Sequence, residues 1–112
     1  MREMQSSLDR LDLVFSALSD RTRRKLVARL ADGEASIGQL AAPFDMSLVA
    51  VSKHVRVLER AGLVKRTIDG RVHRCALSAH RLREATAWLE RYRVFWDDTL
   101  ARLAAYVEDG DG

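Results

Sequence analysis

Cysteine and proline are nearly absent from this 112-residue chain, with Cys75 and Pro43 as the only examples. A single thiol rules out an intrachain disulfide framework. No run approaches the ~18 apolar residues that a membrane span needs, and the chain does not open on a signal-peptide pattern. A cytoplasmic location is the natural inference. Catalytic signatures are also missing. The chain has no G-x-S-x-G, no H-E-x-x-H and no glycine loop of the kind that cradles phosphate. A hydrolase or transferase would therefore lack a placeable nucleophile and base, and the expectation is that the protein is not an enzyme and carries no cofactor. Without repeats, low-complexity segments or a long linker, residues 1–112 read as one domain with one modest core.

What is present is a soluble globular mixture, 47% hydrophobic and 31% charged, with a net charge of only +3. The distribution of that charge is informative. Residues 20–80 hold 12 basic and 6 acidic side chains, whereas residues 1–19 hold 2 and 3 and residues 81–112 hold 5 and 7. A basic centre between weakly acidic ends is the electrostatic footprint of a nucleic-acid binder.

The segment Asp45–Leu63, DMSLVAVSKHVRVLERAGL, carries most of the information. Leu48, Val51, Val55 and Leu58 recur at helical spacing, Ser47 suits the N-cap, and Gly62 suits the left-handed stop. With Val51, Val55 and Leu58 turned inward, a step of ~100° per residue puts Val49, Lys53, Arg56 and Arg60 on the opposite face. Ala50 and Ser52 lie beside it, and this face has no carboxylate. Small residues at the N-terminal end and cations along one side suit the DNA major groove. His54, on the flank, can donate to phosphate or brace the wing.

Upstream, Leu8, Leu11, Phe15 and Leu18 predict an amphipathic helix over 8–18, after a patternless start at 1–6. Ser19 or Asp20 caps a second helix ending at Gly33, with Leu26, Val27 and Leu30 inward. Arg21, Arg23, Arg24 and Lys25 at its start oppose the helix dipole, so they need compensation from phosphate or from Asp20 and solvent. Ser36 caps a third helix, SIGQLAAPF, with Ile37, Leu40, Ala41 and Phe44 inward, which Pro43 should distort or close. Residues 36–62 thus form a helix-turn-helix. Beyond Gly62 the period changes to two. Leu63–Ile68 and Arg71–Leu77 flank Asp69-Gly70, a strong hairpin signal, so a basic wing spans 63–77 with Arg71 near its tip and Arg74 further along. Leu82, Ala85, Leu89, Tyr92, Trp96, Leu100, Leu103 and Val107 then predict a helix over 79–107, ~40 Å long at 1.5 Å per residue. Its stripe is too long for so small a module to cover. Leu8, Leu11 and Phe15 together with Leu89, Tyr92, Trp96, Leu100 and Leu103 are therefore expected to form a twofold dimer interface, although the aromatic part can instead line an effector pocket. Residues 109–112 are expected to be disordered.

The fold class is mostly α with a small β-hairpin, a winged helix-turn-helix with long terminal helices. On ALSDRTRRKLV (17–27), DMSLVAVSKHVRVLERAGLV (45–64) and KRTIDGRVHRCAL (65–77), the chain resembles the arsenical-resistance repressor (ArsR/SmtB) family. That resemblance covers about residues 10–107. It implies a dimer joined by its first and last helices, binding an imperfect palindrome at a promoter, usually as a repressor. Departures from the family pattern concern metals. Where many members carry Cys-Val-Cys followed by aspartate, this chain has Ser36, Ile37, Gly38 and Gln39. His80, Asp97 and Asp98 do not reproduce the spacing of the ligands other members hold in their last helices. Arg21 and Val49 replace frequent prolines, and Val49 bears on base preference.

The site expected to hold DNA is Ser47, Val49, Ala50, Ser52, Lys53, His54, Arg56, Arg71 and Arg74, with no metal. Val49, Ala50, Ser52 and Lys53 would read base edges, and Ser47, Arg56, Arg71 and Arg74 would hold phosphates. Two rivals stand beside this reading. One is a metal- or redox-gated repressor using His73 and Cys75, which share a strand face. The other is a protein-interaction module that uses the helix-turn-helix as scaffold.

Overall fold

The computed structural model describes residues 2–110. Its elements follow in the order α1 (Arg2–Leu18), α2 (Arg21–Ala31), β1 (Ala35–Ser36), α3 (Ile37–Ala41), α4 (Leu48–Arg60), β2 (Val64–Asp69), β3 (Val72–Leu77) and α5 (Ala79–Gly110). Among the described residues no helix is long and apolar enough to cross a membrane.

Local chemistry accounts for most boundaries. Asp20 caps α2 by accepting from the Arg23 amide at 3.0 Å. Ser36 caps α3 in a reciprocal box, its Oγ accepting from Gln39 N while Gln39 Oε1 accepts from Ser36 N. The helix expected to reach Phe44 stops at Ala41. Pro43 has no N–H to give to the carbonyl four residues back, so the chain leaves helical geometry there. Ser47 Oγ accepts from Ala50 N at 3.1 Å and starts α4. At the other end Gly62, at φ +78°, donates to Glu59 O, and Leu63 donates to Leu58 O. These two bonds are the Schellman closure, and they bury Leu63 beside Leu58.

Three expectations need correction. Helix α1 begins at Arg2 rather than near Leu8. Its buried stripe is Leu11, Val14 and Ala17, while Leu8 is exposed. Positions 11, 14 and 17 share one helix face as 8, 11, 15 and 18 do, so periodicity alone could not choose between adjacent stripes. Leu11, expected on a dimer face, is 7% exposed and belongs to the core of its own chain. The turn of the wing is also shifted by one residue. Asp69 pairs with Val72, which leaves Gly70 and Arg71 as the central residues. Gly70 has φ +63° and, among the described residues, no non-glycine residue is left-handed, the φ pattern of a type II′ turn, which wants glycine first.

The hairpin does not stand alone. β1 adds to it, with Ala35 opposite Cys75 and Ser36 opposite Arg74, giving a three-stranded antiparallel sheet in the order β1-β3-β2. A two-residue strand has no period to detect, so it was invisible in the sequence. Leu26, Leu40, Val51, Val55, Leu58, Leu63 and Cys75 fill the space between the helices and this sheet. Only the start of α5 joins that core. Ala85 is buried, and Leu82 and Trp88 are partly so. The rest of α5 projects, and the radius of gyration is 19.1 Å where a compact chain of this length would have ~13 Å. Helix α5 continues through Asp109 and Gly110, where a disordered tail was expected; Asp111 and Gly112 lie outside the described residues.

Candidate nucleic-acid interface

The exposed side of α4 is built by what its inward side consumes. Val51, Val55 and Leu58 are fully buried, so Val49, Lys53, Arg56 and Arg60 are left outward. Leu48 opens the apolar series in the sequence, yet it is 58% exposed, and Val49 is 66% exposed. Helix α4, the start of α3 and the wing enclose an open groove of about 620 Å³. Five residues expected to hold DNA converge on it: Val49, Ser52, Lys53, Arg56 and Arg71. No aspartate or glutamate lines it.

The other expected residues lie elsewhere. Ser47 and Ala50 sit at the start of α4 and do not line the groove, and the Ser47 hydroxyl is engaged as the cap. Arg74 is on the outer face of β3, 3.9 Å from Glu34. His54 is a clearer correction. Its ring is 23% exposed and touches neither wing nor groove; Nδ1 lies 3.4 Å from Arg23 Nη1 and 3.9 Å from Asp20 Oδ2. Through these two contacts His54 braces α4 against the start of α2.

That brace also explains the unfavourable cations at the start of α2. Arg23 donates to Ala17 O at 2.6 Å and Ser16 O at 3.2 Å, and Arg24 donates to Leu18 O at 2.8 Å. The carbonyl end of α1, with its negative partial charge, supplies the compensation. The Asp20 carboxyl is held below its ordinary value, first by the Arg23 amide and then by the charges of Arg23 and His54.

Sequence reasoning missed Arg66. Its side chain is only 13% exposed, and it bonds Glu59 at 2.7 Å and His73 Nδ1 at 3.2 Å. It ties the end of α4 to the wing at the edge of the groove. The available signal was β2 alternation, which places Arg66 inward opposite Cys75. Cys75 is fully buried. Burial pushes its thiol up from the ordinary value, Arg66 opposes this, and Glu59 reinforces it. A buried, protonated thiol is a poor oxidant sensor, so the arrangement does not favour redox gating. Among the described residues, no group of three or more His, Cys, Asp or Glu is placed to hold a metal ion.

On the dimer face, Leu8, Leu89, Tyr92, Leu100 and Leu103 are exposed. Phe15 is half-buried and meets Trp88 with ring centroids 5.6 Å apart. The Trp96 side chain lies outside the described residues.

Comparison with known proteins agrees with this geometry. A helix-turn-helix domain family matches residues 18–67, the span of α2 through most of β2. The HTH-type transcriptional regulator CmtR of Mycobacterium bovis is 41% identical over 111 residues, covering 99% of this chain and 90% of CmtR. The transcriptional repressor SdpR of Bacillus subtilis is 30% identical over 76 residues, 68% of this chain and 84% of SdpR. The crystal structure of an ArsR family transcriptional regulator superposes with a TM-score of 0.75 at 37% identity, covering 80% of this chain and 92% of the other. With the recognition helix, the wing and the basic groove between them all in place, the chain belongs to the ArsR family of winged helix-turn-helix transcriptional regulators, which act by binding DNA and are not enzymes.

Proposed function

We propose that two copies pair through α1 and α5, and that this dimer represses transcription from the cytoplasm by occupying a palindromic operator without a bound metal. The observation that carries the reading is the groove between α4 and the wing, rimmed by Lys53, Arg56 and Arg71 and free of carboxylates. A duplex whose major groove receives α4 would run one phosphate strand through that groove. Val49, Ser52 and Lys53, with Ala50, then face base edges. Arg56, Arg71 and Arg74 meet phosphates, Ser47 adds a hydroxyl at the first turn, and Arg71 at the wing tip reaches toward the minor groove. Twofold pairing would set the two α4 helices ~34–36 Å apart, one turn of DNA.

The exposed apolar faces of α1 and α5 support the pairing, and the name of SdpR supports repression. The donor set supports a metal-free operator complex, since positions 36–39 offer no thiol and His73 is engaged by Arg66.

The test is titration of the protein's own promoter and of an unrelated duplex over a salt series, with EDTA present and absent. Lys53→Ala is expected to weaken the promoter complex roughly tenfold and narrow its advantage over the unrelated duplex. Arg71→Ala is expected to weaken both duplexes similarly and lower the salt slope by about one. EDTA is expected to change nothing. Unchanged affinity in both variants would remove the site from this groove.

A further inference from the structure

We propose that Leu48 and Val49 read thymine, each docking its branched side chain on the C5-methyl group of a thymine in the operator half-site. The inference rests on the DNA-binding reading above and adds the chemistry of the bases recognised. Leu48 and Val49 are the first two residues of α4, just past the Ser47 cap. They are 58% and 66% exposed although the inward side of the same helix is completely filled. Nothing in the fold explains two exposed branched aliphatics on the basic face of the chain. α5, the element left in need of a partner, makes no substantial contact with α4.

Position and chemistry agree. Side chains on a helix lean toward its N-terminus, so Leu48 and Val49 point past the helix end, toward the floor of whatever α4 enters. Ser52 and Arg56 follow Leu48 at intervals of four residues, and Lys53 follows Val49. The helix is therefore apolar at its leading end and cationic behind it, and both parts line one groove. Phosphates answer the cations. An aliphatic side chain in the major groove finds an apolar surface only in the thymine methyl, since the other features there are hydrogen-bond donors and acceptors.

The experiment starts from duplexes recovered by binding genomic DNA to the full-length protein. Each thymine of the bound half-site is replaced in turn by deoxyuridine, which removes the methyl and leaves the hydrogen-bonding edge intact. For the native protein, one or two positions are expected to lose about fourfold in affinity, the worth of one buried methyl. Leu48→Ala and Val49→Ala are each expected to bind the unmodified duplex less well and to abolish the deoxyuridine penalty at one of those positions. This is the coupling that a direct contact shows and an independent effect does not. Both residues are exposed, so the variants are expected to keep the native thermal midpoint.

Uniform tolerance of deoxyuridine by the native protein would overturn the inference while leaving DNA binding standing. So would penalties that persist unchanged in both variants. Failure to recover any preferred duplex would instead overturn the function on which it rests.

Discussion

The segment from Asp20 to Ser78 and the outer part of α5 obey the same apolar periodicity and meet opposite fates. In the first, the inward leucines and valines are buried almost completely: Leu26, Val51, Val55, Leu58 and Leu63 are each 0% exposed. In the second, Leu89, Phe95, Leu100, Leu103 and Val107 are each at least 49% exposed. The polar side of that stretch is organised by Arg93 bridging Glu90 and Asp97. Burial depends on a facing surface as well as on pattern. The central segment supplies most of its own surface through three helices and a sheet, whereas the outer part of α5 lies beyond the elements that cover its start. The contrast separates a part that meets DNA and buries its apolar face, with help from α1 and the start of α5, from an extension whose apolar face is left exposed.

The largest expected effect probes that separation directly. Leu100→Glu combined with Leu103→Glu is expected to yield a monomer by sedimentation, with operator affinity reduced roughly a hundredfold because two linked contacts become independent ones. The central segment should still unfold cooperatively, and loss of its folding would break the comparison. Next, Leu58→Ala is expected to cost ~2–5 kcal/mol in denaturant unfolding, the usual penalty of a core cavity. In the monomeric double variant, Leu89→Ala should stay within about 0.5 kcal/mol, as surface changes do. Equal costs would mean that α5 has a partner within its own chain.

The smallest effect sits at the start of the central segment, where Asp20 caps α2. Asp20→Ala is expected to cost about 1 kcal/mol at neutral pH. The folded chain holds the Asp20 carboxyl below its ordinary value of 3.8, so its contribution is fully present above that pH. It is lost as pH falls through the folded value. The gap between native and Asp20→Ala stability should therefore close in acid, as thermal midpoints measured from pH 7 down to pH 2 would show.

Much of this protein was legible before any coordinates. Asp20, Ser36 and Ser47 mark three helix starts because their oxygens meet orphan amides a few residues away. Gly62 marks a stop, and the alternation around Gly70 marks a hairpin. The concentration of cations in residues 20–80 pointed to nucleic acid. All of these signals are local: each interaction closes within about four residues or repeats along one element. Two features were not legible. Leu11 belongs to the core, because adjacent helical stripes have the same period and only the neighbouring helices choose between them. His54 faces Arg23 from a position 31 residues distant, and a flank position does not reveal which element will lie against it.

The sequence by itself determined the elements, their caps, the wing and the sign of the charge that meets DNA. The tertiary structure alone decided that β1 joins the wing, that Arg66 and Glu59 tie the wing to α4, and that five of the nine residues expected at DNA line one surface while His54 lies against Arg23. Local hydrogen bonding and periodicity are properties of a single segment. Convergence depends on the angles and distances between segments, which arise only when the core closes.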